Sequence, residues 1–133
     1  MVRCLIVIAL LMFCSGCSKD SHEQVAKEYL GVMDQLVTSC DSISDPKSAE
    51  TAKEKIGILL EKLKALKSRS EKLGDADETT KTKIEKKYLS ELDTLTARFS
   101  ETFRKIDGEK EVVKVLESEF KTLANLVNAR PLN

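Results

Sequence analysis

The chain has 133 residues, with 22 Lys plus Arg balanced by 22 Asp plus Glu, which excludes a large multidomain enzyme, a strongly basic nucleic-acid binder and an acidic tail protein. Hydrophobic residues make up 41% and charged residues 33%, with 5% aromatic and no Trp. Such a chain builds an aliphatic core under a densely ionic surface, a composition that suits an all-α domain.

The first residues read as an address. Met1-Val-Arg3 gives a short positive start, and Cys4 to Cys14 is an unbroken apolar run of 11 residues. That run is a signal-peptide core, short of the roughly 20 residues a permanent membrane-spanning helix requires. Ser15-Gly16-Cys17 follows, and apolar character stops at Ser18-Lys19-Asp20. This stretch resembles the lipobox of bacterial lipoproteins. The resemblance implies cleavage after Gly16 and lipidation of Cys17, with a diacylglycerol on its sulfur and a fatty acyl group such as palmitate on its amino group. Cys14 stands where that family prefers Leu, Val, Ile or Ala. An ordinary secretory peptide or an uncleaved anchor is the alternative. Ser18 replaces the Asp that retains such proteins in an inner membrane, so the resemblance implies outer-membrane anchoring, facing the periplasm.

Removing residues 1–16 leaves 117 residues with a net charge of −1. Residues 17–20 become a lipidated N-terminus and tether, 21–128 a helical domain and 129–133 a tail. Three extended residues, Ser18 to Asp20, reach roughly 10 Å, which holds the domain against the membrane. Cys40 is then the one unlipidated cysteine, so the fold must rest on its core without an internal disulfide.

Four helical segments follow. From Ser21 to Cys40, Val25, Ala26, Tyr29, Leu30, Val32, Met33, Leu36 and Val37 share one face. Ser21 with Gln24 predicts a capping box. Asp45-Pro46 opens the second segment, whose stripe is Ala49, Ala52, Ile56, Leu59, Leu63, Leu66 and Leu73, with Ser70 in the one polar slot. Gly74 stops it. Asp75, Asp77 and Glu78 open the third, with a stripe of Ile84, Tyr88, Leu92, Leu95, Phe99, Phe103 and Ile106. The last carries Val112, Val113, Leu116, Phe120, Leu123 and Val127 before Pro131 forbids further helix.

Asp107-Gly108 leaves two architectures open. The heptad through Leu92, Phe99, Ile106, Val113, Phe120 and Val127 runs across the glycine, compatible with three helices of which the last is about 78 Å long. The first two segments span only about 30 and 42 Å, which favours an up-and-down antiparallel bundle of four segments. The first segment, Ser18 to Asp45, has six acids and two bases; the second, Pro46 to Leu73, has four acids and eight bases. That split predicts pairing between them.

The candidate chemistry is sparse. His22 is the only histidine and reads as a polar group at a helix start, since no partner for a base or metal ligand can be nominated. Cys40 is a small buried hydrophobe or, alternatively, the site of a disulfide to a second chain. Asp75, Asp77 and Glu78 lack calcium-loop spacing and read as dipole capping. The basic run Lys62 to Lys72 reads as a solvated face, with anionic lipid as the minority reading; no aromatic stands nearby to stack on a nucleobase. No phosphate loop, nucleophile elbow or catalytic pair appears. The expectation is a non-enzymatic lipoprotein with no metal, no cofactor and no nucleic-acid partner. It would act as a protein-interaction or structural module through an envelope protein or a homodimer. A carrier of a hydrophobic small molecule or lipid, and an inhibitor or exclusion lipoprotein, are the alternatives.

Overall fold

The computed structural model describes residues 21–128. The predicted signal peptide 1–16, the lipidated N-terminus and tether 17–20 and the C-terminal tail 129–133 lie outside the described residues. Within them the chain is all-α, with no strand: α1 His22–Asp41, α2 Pro46–Leu73, α3 Glu78–Asp107, α4 Lys110–Val115 and α5 Glu117–Asn128.

Side chains decide where the first three helices begin. The Ser21 hydroxyl accepts from the Gln24 amide at 3.1 Å. The Gln24 side chain turns to Glu28 instead, at 3.2 Å, so half of the predicted capping box forms. At α2 the reciprocal box is complete between Asp45 and Ser48: the Ser48 amide donates to Asp45 Oδ1 at 2.7 Å and the Asp45 amide to Ser48 Oγ at 3.0 Å. Pro46 occupies the first turn, where its missing N–H costs nothing. Asp77 caps α3, accepting from the Thr80 amide at 2.7 Å and the Thr80 hydroxyl at 3.1 Å. Gly74 ends α2 with φ 79°, a left-handed conformation that glycine adopts without a Cβ clash.

The chain turns after Asp107. The Glu109 amide donates to the Ile106 carbonyl at 2.9 Å, and the Phe103 and Phe120 rings lie 5.2 Å apart, centroid to centroid. In one continuous helix their 17-residue separation would place them about 25 Å apart, so the single long helix does not form. The last segment is also not one helix. It divides at Leu116, whose backbone sits at φ −101°, ψ 12°. Hydrogen bonds continue on both sides, from the Leu116 amide to Val112 at 3.1 Å and from the Phe120 amide to Leu116 at 2.9 Å. The break is a kink around a side chain that is 0% exposed.

Helix α1 packs against both α2 and α3, α4 against α2 and α3, and α5 against α2. Polar contacts give the directions. His22 meets Gly74 and Glu28 meets Arg69, so α1 and α2 are antiparallel. Glu23 meets Lys87 and Asp41 meets Thr102, so α1 and α3 run parallel. The core between them is aliphatic: Leu30, Met33, Leu36, Ile56, Leu59, Leu63, Leu92 and Leu116 are all buried. Val25, Leu66 and Leu73 form a second cluster, and half-buried Tyr29 and Val32 pack against both.

Candidate functional site

Gly16 and Cys17, the predicted cleavage and lipidation positions, lie outside the described residues. What the structure supplies is the setting of the first helix that follows them.

The start of α1 is fastened on two sides. His22 is half-buried, and its Nε2–H donates to the Gly74 carbonyl at 3.0 Å. That carbonyl sits where α2 ends, so the histidine joins the first turn of α1 to the far end of its neighbour. One residue on, Glu23 pairs with Lys87 and, at 3.3 Å, with Lys83. These two lysines hold its carboxyl below the usual glutamate range. His22 stands out in the sequence as its only histidine, whereas Gly74 does not, because the contact depends on how α2 terminates.

The other end of α1 is fastened to α3. Arg98 donates to Asp34 at 2.5 Å, Thr38 at 3.1 Å and Asp41 at 3.2 Å, and the Thr102 hydroxyl donates to Asp41. Asp41 is the last residue of α1, where a negative charge opposes the helix dipole. The Thr102 hydrogen bond, then Arg98, offsets this and keeps its carboxyl below the ordinary aspartate range. Thr102 was absent from the predicted stripe and is buried, as is Thr96. Glu28 pairs with Arg69 of α2 at 2.5 Å. The acids of α1 therefore divide between α2 and α3, whereas the charge count matched them to α2 alone. Net charge summed over a segment cannot register single well-placed bases such as Arg98.

Cys40 is buried among the α1 stripe at 1% exposure. Burial pushes its thiol up to about 12, and the Asp41 charge adds to the effect. A disulfide to a second chain would require the end of α1 to open.

Asp77 is the N-cap of α3, as its reading as a capping residue requires. Among the described residues, no three or more His, Cys, Asp or Glu side chains gather into a metal-holding group. A shallow surface depression on the first turns of α3 is lined by Glu78, Thr79, Thr82, Lys83 and Lys86. At the opposite end of α3, Phe99 and Phe103 stack with centroids 4.2 Å apart, and Phe120 of α5 tilts against Phe103. All three rings are half-buried rather than enclosed, although their spacing alone placed them in the core. The thin cover follows from the short α4 and α5, which lie mainly on α2.

Compared with protein-family models, with curated proteins and with solved structures, the chain shows no significant match.

Proposed function

We propose that the chain is a lipid-anchored helical module of the bacterial envelope that works through protein contacts. The observation that carries this reading is the apolar run Cys4 to Cys14 breaking at Ser15-Gly16-Cys17, five residues before α1 begins at His22. Among the described residues no helix is long and apolar enough to cross a membrane; the reading assigns the attachment to acyl chains on Cys17 from the resemblance of Ser15-Gly16-Cys17 to a lipobox. Two or more chains make such attachment stable where one is marginal.

Anchorage there orients the domain. His22 touches Gly74, so the turn from Gly74 to Asp77 faces the bilayer beside the tether. The turns at Ser42–Asp45 and Gly108–Glu109 face away. A protein partner is met at that far end, on outer-membrane anchoring with the domain in the periplasm.

A photo-crosslinking residue at Ser44, exposed in the far turn, tests the orientation. The expected result is one specific adduct from Ser44 in intact envelopes, and a different pattern from Asp75 beside the tether. No specific adduct at native expression from either position contradicts a protein-contact role.

A further inference from the structure

The turn between α3 and α4 is two residues long, Gly108 and Glu109. Gly108 already has helical dihedrals, φ −69° and ψ −19°. The chain leaves the helix at Glu109 alone, at φ −108° and ψ 85°, and the Glu109 side chain makes no capping hydrogen bond. Turning the single residue Glu109 from φ −108° and ψ 85° to helical values of about −63° and −42° would join the two helices. The apolar residues Leu92, Phe99, Ile106, Val113 and Phe120 recur every seven positions through this turn, so a helix continued through Glu109 keeps its apolar stripe.

We propose that α4 and α5 exchange between two copies of this chain, with Glu109 as the hinge. In the exchanged dimer α3 and α4 form one helix from Glu78 to Val115, and α4–α5 of each copy lies on α2 and α3 of the other. The occupant of that face is a second copy because it already fits: the contacts of α4 with α2 and α3, and of α5 with α2, are remade between chains unchanged. The interface is isologous and closes at two copies. A short linker gives the closed form an effective concentration in the millimolar range. A hinge of two residues that already favours helix on its first residue works against closure, the situation in which exchange competes.

The test uses two full-length variants carrying tags of different size, one with Phe103→Cys and the other with Phe120→Cys, co-expressed and oxidised in intact cells. Exchange brings the two new cysteines together across chains, because the native rings are 5.2 Å apart, and gives a mixed-tag disulfide. Asp75→Cys, in the turn that precedes α3, replaces Phe103→Cys as the collision control. Inserting four glycines after Gly108 relaxes the short hinge and, at about 1 kcal/mol of lost helix propensity per glycine, should lower the mixed-tag adduct about tenfold or more. A mixed-tag adduct no stronger than the Asp75 control overturns the proposal, as does one unchanged by the insertion. Sedimentation of the detergent-solubilised chain without new cysteines gives a second reading. A dimer lost on glycine insertion supports exchange, while a monomer at every concentration or a dimer that survives insertion overturns it.

Discussion

The buried hydroxyl of Thr102 donates a hydrogen bond to the Asp41 carboxylate, tying the last residue of α1 to the inner face of α3. Thr102→Val keeps the shape and removes the donor. A hydrogen bond to a charged group contributes about 1.5–3 kcal/mol when well shielded. Asp41 is exposed and keeps Arg98, so we expect a loss of about 1 kcal/mol. Urea unfolding followed by circular dichroism should show a lower midpoint with an unchanged slope.

Acid should weaken the fold through the same contacts. Glu23, Asp41, Asp45 and Asp77 are all held below their ordinary values, chiefly by lysine, threonine or serine donors and by helix-start amides. A carboxyl whose pKa is lower folded than unfolded binds fewer protons in the native state. Its stabilisation is complete above the ordinary carboxylate range and drains as pH falls through about 4. Thermal unfolding between pH 7 and pH 3 should show the midpoint falling over the lower part of that range, less steeply in Thr102→Val.

Cys40 should be silent until the protein unfolds. Its thiol is buried and pushed up to about 12, and the thiolate is the reactive species. Peptide-resolved mass spectrometry after alkylation at pH 8 should find Cys40 labelled at least about a hundredfold more slowly in the native protein than in denaturant.

Leu116 marks where α4 bends into α5 and is fully enclosed. Leu116→Ala leaves a cavity and should cost about 2–5 kcal/mol, the usual range for a buried leucine. Ile58→Ala, at a position 53% exposed, should cost less than about 0.5 kcal/mol. Calorimetric midpoints of the two variants check the contrast.

The stripes were legible in the sequence because a helical period needs only local spacing. Ala49, Ile56, Leu59, Leu63, Leu66 and Leu73 are buried as read, and Asp45, Asp77 and Gly74 mark helix ends as read. Tertiary partners were less legible. His22 meets Gly74, Arg98 gathers Asp34 and Asp41, and Thr102 serves Asp41; each contact joins residues from different helices, so no local pattern carries it. The kink at Leu116 was missed for the same reason, since its heptad continues smoothly. The three half-buried phenylalanines read as core because spacing reports which face a residue occupies, not how fully a neighbour covers it.

The anchor itself is tested most directly by fractionating cells that express the full chain or its Cys17→Ser variant. The parent should remain with the membranes after high-salt and carbonate washes, and mass spectrometry of its N-terminal peptide should show Cys17 carrying acyl groups with residues 1–16 gone. The Cys17→Ser chain should lose these acyl groups and the cleavage after Gly16. A parent chain that begins at another residue, or whose Cys17 carries no lipid, contradicts the lipoprotein reading.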